Sequence, residues 1–355
     1  MRAISRVSRY GADMLAAPTG LTDEALVAVL ARSWGIEVAG LEYRAVGFGS
    51  HHWEVVEAGG ARWFVTVDEL GKRRIRPQET TTQVQARLAA GLGSARALRN
   101  LSARYDFVVA PIPSLDGNIV LEVAEEFCTA VYPMVEGESF EWGDARDPEQ
   151  TTAILTMLID THDAPGGQHL GAPEDDFAVQ MRGELEQALA DGVNTVDRGP
   201  YSVPLAKLLR ENEEPLRSSL RKYDELVASA TMAQAGADTR RVLTHGEPHP
   251  GNTMLAPDGW KLIDWDTAAV APPERDLWIL DPGDGSALQA YSEVTGYTPS
   301  ADLLELYRLR WDLTDLALFA TEFRSVHLED LNTAKSWAAA QTVARSIAES
   351  VAGPN

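Results

Sequence analysis

The residues able to do chemistry crowd into one stretch, Leu243 to Trp265, which reads LTHGEPHPGNTMLAPDGWKLIDW. Its first polar cluster holds His245, Glu247, His249 and Asn252; its second, about a dozen residues on, is Asp264 followed by Asp266. Between them lie the apolar pair Met254-Leu255, a turn at Pro257-Asp258-Gly259 and the apolar pair Leu262-Ile263, the pattern of a loop feeding a β-hairpin. Such a hairpin brings Asn252 beside Asp264. An amide oxygen next to a carboxylate suits a hard cation such as Mg²⁺, with phosphate oxygens completing its octahedron. The same segment admits another reading, a metal hydrolase using His245, Glu247 and His249 on one face of a strand. Against it, Pro248 and Pro250 make the segment a loop, and no second His/Cys cluster completes a tight zinc site.

The elements that must hold these groups fall into two parts. Leu21 to Trp34 reads as an amphipathic helix with Thr22 as its N-cap. A strand over Gly40 to Val46 leads into a tight turn, Gly47-Phe48-Gly49-Ser50, and Trp53 to Glu57 and Ala61 to Val67 form a hairpin across Gly59-Gly60. Thr80 to Leu101 is helical in period, Phe107 to Pro111 and Asn118 to Val123 read as a hairpin around Asp116-Gly117, and Ala130 to Val135 is a further strand. Beyond Gly137 the pattern turns helical, over Pro148 to Thr161, Ala178 to Asp191, Val203 to Leu208, Pro215 to Ala230, Ala301 to Arg324 and Thr333 to Val351. The expected architecture is α+β and bilobal, with an N-terminal antiparallel sheet lobe over residues 1–135 and a larger, mostly helical lobe over 136–355. Met134 to Gly137 is the connector.

Composition narrows the function classes. The 355 residues include 31 basic and 53 acidic side chains, a formal net charge of −22. A surface this acidic repels nucleic acid and anionic lipid. Its one notable basic run, Lys72-Arg73-Arg74 with Arg76, is too short to argue otherwise. Cys128 is the sole cysteine, which excludes an internal disulfide and fits a cytoplasmic protein. Arg2, Arg6 and Arg9 precede no apolar signal-peptide core, and no run reaches the roughly 20 apolar residues of a membrane span.

A glycine turn between the first two strands of a small sheet, with metal ligands in the other lobe, is the layout of a kinase: backbone N–H groups approach the nucleotide phosphates from one side and the cation from the other. The chain resembles the aminoglycoside phosphotransferase family, which shares the protein-kinase fold and carries His-Gly-Asp-x-x-x-x-Asn followed by Ile-Asp-Trp. The matching segments are His245-Gly246-Glu247-Pro248-His249-Pro250-Gly251-Asn252 and Ile263-Asp264-Trp265. Pro272-Pro273-Glu274-Arg275-Asp276-Leu277, Leu158-Ile159-Asp160-Thr161-His162 and Trp311-Asp312-Leu313-Thr314-Asp315-Leu316 add to the likeness. In layout the chain is most similar to members acting on spectinomycin-like or peptide-like antibiotics.

The resemblance implies transfer of the γ-phosphate of ATP or GTP to a hydroxyl of a small molecule, an aminoglycoside-like antibiotic or another cationic acceptor. It gives Asn252 and Asp264 to Mg²⁺, Glu247 to the acceptor's proton, and His245 to bracing the catalytic loop. The phosphates fall to Gly47, Gly49 and Ser50, and the nucleotide base to the backbone of Tyr132, Met134 and Val135. Asp266, Glu274, Asp281, Asp284, Asp312 and Asp315 line a cationic-acceptor pocket or are solvated surface; Asp276 braces the loop. Two positions depart from the family: Glu247 replaces Asp, and no lysine occurs in Trp63 to Val67, where Thr66 stands at its place and Lys72 or Arg73 follows. Those departures motivate an alternative, a kinase-like binding protein with weak or no phosphotransfer. His51 and His52 read as exposed loop residues, at most one of them facing inward.

Overall fold

The computed structural model describes residues 16–46, 49–142, 144, 147–192, 196–235 and 240–352. Helix α1 spans Asp23–Trp34. The Thr22 hydroxyl accepts from the Ala25 N–H at its start, and Gly35 closes it in the left-handed conformation. Its buried Leu26, Val29, Leu30 and Trp34 recur at helical spacing, each burial contributing roughly 1.5–3 kcal/mol. They pack on Trp53, Val55, Val65, Val67 and Val131, the outer face of a five-stranded antiparallel sheet.

That sheet runs in the order β1-β2-β3-β5-β4, with β1 Val38–Arg44, β2 His51–Glu57, β3 Arg62–Glu69, β4 Leu121–Ala124 and β5 Phe127–Pro133. Side chains alternate across it, so His52, Phe64, Thr66, Ala130 and Tyr132, in register across β2, β3 and β5, share the inner face. Helix α2, Thr81–Arg99, begins with a capping box between Thr80 and Gln83.

The chain leaves β5 through residues 134–137 and enters β6 Glu138–Ser139 and α3 Pro148–His162. There follow α4 Arg182–Asp191, α5 Ser202–Glu211, α6 Glu213–Ala235, β7 Val242–Thr244, β8 Thr253–Ala256, β9 Gly259–Leu262, β10 Ala269–Ala271, α7 Glu274–Leu280, α8 Ser286–Thr295, α9 Ala301–Arg324 and α10 Leu331–Ala352. Helix α9 is the axis of one core: its Leu306, Leu313, Leu316, Phe319 and Phe323 pack against α4, α5, α6 and α10. A second core joins both parts of the chain, with Leu70, Val84, Leu88 and Leu92 meeting Leu158, Leu262, Trp265 and Leu277. Among the described residues no helix is long and apolar enough to cross a membrane.

Helix α9 keeps the expected bounds, whereas α7 and α8 were not anticipated. The hairpin expected between 107–111 and 118–123 does not form. Residues 114–118 do turn back, with Gly117 N–H on the Ser114 carbonyl at 2.9 Å, but β4 pairs with β5 instead. Phe107 and Val108 are buried and lie along β9: the Leu262 N–H donates to Phe107 O at 2.8 Å and the Val109 N–H to Leu262 O at 3.1 Å. An apolar run buried on this scale is claimed by the core, not by its neighbour in sequence. His51 and His52 lie on β2, not in an exposed loop, and face opposite sides of it: His51 is buried against the Tyr43 hydroxyl at 3.0 Å, and His52 stacks on Phe64.

Candidate active site

Strands β8 and β9 pair with Thr253 opposite Leu262, and the Ile263 N–H extends the ladder to the Asn252 carbonyl at 2.9 Å. Asn252 therefore faces Ile263 across the two arms, one residue before Asp264. Asn252 Nδ2 donates to the Glu247 carbonyl at 2.9 Å, which frees its Oδ1 as a ligand. Asp264 has φ +63°, a left-handed backbone that a non-glycine residue adopts at some cost, and strain of this kind gathers at functional sites. Its carboxyl is reached by solvent yet ringed by protein and like charge. It is pushed well above the ordinary carboxylate range, first by desolvation, then by Asp266, with Glu247 and Asp68 adding and Arg73 opposing. A carboxylate set among other acids, with an amide oxygen on the facing arm, suits a divalent cation with oxygen ligands.

The loop from His245 to Asn252 is held from behind. The Asp276 carboxylate, fully buried at the start of α7, accepts from the His245 N–H at 2.9 Å, the Gly246 N–H at 2.5 Å and His162 Nε2 at 3.0 Å. Gly246 has φ +104°, and a Cβ there would overlap the Arg275 guanidinium. His245 is fully buried; its Nε2–H donates to the Ile263 carbonyl at 2.8 Å and its Nδ1 accepts from the Glu247 N–H at 3.2 Å. Both ring nitrogens are used, which fixes a neutral tautomer, and burial holds its pKa below the ordinary value. Neither nitrogen is left for zinc, and among the described residues no group of three or more His, Cys, Asp or Glu side chains converges as a metal site. His249 lies against the Trp142 ring edge-on at 4.3 Å, and Trp142 stacks on Trp311 at 5.1 Å, an aromatic wall beside Glu247 and His249.

Under the glycine turn stands a network that the sequence only hinted at. Gly47 lies outside the described residues. The buried Ser50 hydroxyl donates to Asp68 Oδ1 at 2.8 Å and accepts from Arg73 Nη2 at 2.7 Å. The same nitrogen is 2.6 Å from Asp68 Oδ1, and Arg73 Nη1 reaches Asp266, two residues past the metal-ligand candidate. His52 shares this space; its Nδ1–H donates to the Val46 carbonyl at 2.7 Å, and desolvation, with Arg73 and His51 nearby, pushes its pKa down to about 4. The signal for Arg73 was the basic run at 72–74. Lys72, the other candidate, pairs with Glu69 at 3.0 Å and is half exposed.

The residues assigned to the nucleotide base are contiguous at the connector. Tyr132, one residue before the end of β5, stands opposite Phe64 with its ring buried, and the Met134 N–H donates to the Arg62 carbonyl at 3.3 Å. Met134 and Val135 also line a cavity of about 710 Å³ behind the connector, away from Asp264. The acids suggested for a cationic acceptor do not form one pocket. Glu274 is buried and accepts from the Tyr297 hydroxyl and the Ser300 N–H, Asp315 is buried in α9, Asp266 holds Arg73, and Asp284 turns back on the Ser286 N–H. Chain reversals and helix packing recruit them, which spacing along the sequence does not reveal.

Comparisons with known proteins find relatives of the same fold. Protein StrN of Streptomyces griseus is 30% identical over 235 residues, 65% of this chain and 69% of that protein. The crystal structure of spectinomycin phosphotransferase APH(9)-Ia with ADP and spectinomycin superposes with a TM-score of 0.66 at 15% identity, over 92% of this chain and 98% of the other. Amicoumacin kinase hAmiN, in complex with AMP-PNP, Ca²⁺ and amicoumacin, gives 0.60 at 12% identity over 92% and 93%. The fold is that of the protein kinases. Residues 42–291 match the profile of the APH phosphotransferase enzyme family, and with the hairpin, loop and brace described above the chain belongs to that family.

Proposed function

We propose that the protein transfers the γ-phosphate of a Mg²⁺-bound nucleoside triphosphate, ATP or GTP, to a hydroxyl of a small molecule. The lobes divide near residue 135, with the nucleotide between them. The observation that carries this reading is the β8–β9 register, which puts Asn252 across from Ile263, one residue before Asp264, with the Asn252 Nδ2 on the Glu247 carbonyl. Asn252 Oδ1 and Asp264 would hold the cation; the bound cation spreads the charge developing on the transferred phosphoryl group.

Glu247 stands on the loop between His245 and Asn252 and is the residue to orient the acceptor hydroxyl and take its proton. Its extra methylene relative to aspartate moves the carboxylate outward by about one bond, a change in positioning that need not abolish a reaction resting on alignment and charge. His245 keeps the loop in shape and takes no proton, since both nitrogens are engaged. Gly49 and Ser50 lie on the phosphate side, and the backbone of Tyr132, Met134 and Val135 lies where the base would dock.

Two of the proteins named above are a spectinomycin phosphotransferase and an amicoumacin kinase, and the wall of Trp142 and Trp311 beside His249 suits a hydroxylated ring compound as acceptor. The test is mass spectrometry of hydroxylated antibiotics, spectinomycin and amicoumacin among them, after incubation with Mg·ATP or Mg·GTP. Gain of one phosphoryl group, lost with Asp264→Ala, is the expected outcome. Nucleotide binding without any phosphorylated product would favour a binding protein on a kinase scaffold.

A further inference from the structure

We infer that Arg73 is the phosphate-side cation of this active site, held by Asp68 of strand β3, in a chain whose β3 lacks the lysine, and whose α2 lacks the glutamate to pair with it, that the family resemblance implies. The inference rests on the phosphotransferase reading and adds a residue to it. At Thr66 the sheet offers no charge, and α2 contains no acidic residue anywhere along Thr81–Arg99. Nor has α2 room to offer a side chain at its point of closest approach: a Cβ on Gly91 would stand 3.1 Å from the Asp266 carbonyl and 3.3 Å from that of Ala268. A pair built from strand and helix is absent on both sides.

Arg73 occupies the vacancy from a different direction. Its guanidinium lies beside Gly49, where a Cβ would be 3.4 Å from Nη2. It touches Ser50 and Asp68 on one side and Asp266 on the other, so it spans from the sheet to the metal-hairpin loop. The segment carrying it is anchored at three consecutive carbonyls. Gln180 Nε2 donates to those of Lys72 at 3.2 Å and Arg74 at 3.0 Å, and Arg87 Nη2 to that of Arg73 itself at 2.5 Å. Arg87 is in turn held by Glu79 at 2.8 Å. Backbone fixed this way keeps a long side chain from being merely a surface charge.

The chemistry follows from the partners. The guanidinium presents its fork to carboxylates, and a phosphate offers the same paired oxygens with more charge. An incoming triphosphate takes donors from Asp266, while Asp68 and Ser50 keep the side chain in place. The arriving phosphates thereby exchange for a contact that ties the two halves of the site together.

The experiment is calorimetric titration of the full chain with Mg·ATP and, separately, with adenosine, alongside turnover. Arg73→Gln is expected to weaken Mg·ATP by about ten- to hundredfold while adenosine binds as before, and Arg73→Lys to recover part of the loss. Because Arg73→Gln strands a buried carboxylate at Asp68, the double variant Arg73→Gln/Asp68→Asn is measured as well and should show the same selective loss. Unchanged Mg·ATP affinity in both glutamine variants overturns the inference, as does an equal loss for adenosine, which marks a merely structural residue. Asp264→Ala separates the levels. If it abolishes Mg·ATP binding while the Arg73 variants are neutral, Arg73 alone is misassigned; if it too is neutral, the phosphotransferase reading fails and the inference with it.

Discussion

His162, closing α3, and Asp276, opening α7, meet at 3.0 Å with both side chains fully buried, and the same carboxylate carries the N–H groups of His245 and Gly246. The loop from His245 to Asn252 thus hangs on one charge supplied by a helix some 30 residues later in the chain. His162 is itself fixed through Nδ1 by the Tyr291 hydroxyl at 2.9 Å.

Replacing that carboxylate should be costly. Asp276→Ala leaves three buried donors without an acceptor, and breaking a buried charged network of this kind destabilises by roughly 3–5 kcal/mol. Desolvation raises the Asp276 carboxyl, but the His162 hydrogen bond and charge, with Arg275 and His245, outweigh it and leave the pKa below the ordinary 3.8. In the interval between the depressed and the ordinary value the unfolded chain binds more protons, so this stabilisation is complete above the ordinary value and is lost as pH falls through the folded one. Acid unfolding followed by circular dichroism should show a shallower acid limb in Asp276→Asn than in the wild type.

Asp264 has the opposite sign. Its folded pKa is raised, so between the ordinary value and the folded one the native state holds a proton the unfolded chain has released, and stability in the absence of cation falls as pH rises through that window. A cation needs the ionised form. Affinity for Mg·ATP is therefore expected to climb with pH across the same window, and Asp266→Asn, by removing a neighbouring like charge, should move the climb to lower pH. Calorimetry at a series of pH values reads both, and a pH-independent affinity would contradict the assignment of Asp264 to the metal.

For Glu247 the expectation is a split between kinetic constants. Glu247→Gln should lower kcat on the order of a hundredfold with the KM for nucleotide little changed, because the group acts on the acceptor's proton and not on the triphosphate. Glu247→Asp, which restores the family's residue, should keep much of the activity. Steady-state kinetics with an acceptor the enzyme phosphorylates separates these outcomes from a loss of loop structure, which would lower kcat and raise KM together.

At Gly246 the constraint is conformational. With φ +104° and the Arg275 guanidinium where a side chain would go, Gly246→Ala combines backbone strain of about 1–3 kcal/mol with a steric overlap. The variant should melt well below the wild type and lose turnover. Wild-type thermal stability would show that the loop relaxes freely.

Much of this protein is written locally. The β8–β9 hairpin joins residues a few positions apart, so the alternation around Pro257-Asp258-Gly259 was enough to bring Asn252 and Asp264 to the same end of it. The cap at Thr22 and the periodicity of α9 likewise needed nothing beyond neighbouring residues. What the sequence could not settle depends on long-range closure. Phe107 and Val108 lie on β9 and not in a local hairpin because the core between the two halves buries them there. Glu274 and Asp315 look like surface acids until helix packing encloses them. Arg73 and Asp266 are 193 residues apart, and choosing Arg73 over Lys72 required knowing which way each side chain faces once Gln180 and Arg87 have pinned the backbone between them. Local pattern fixes which groups can pair along a strand or helix; only the folded chain decides which distant charge lies within hydrogen-bonding reach.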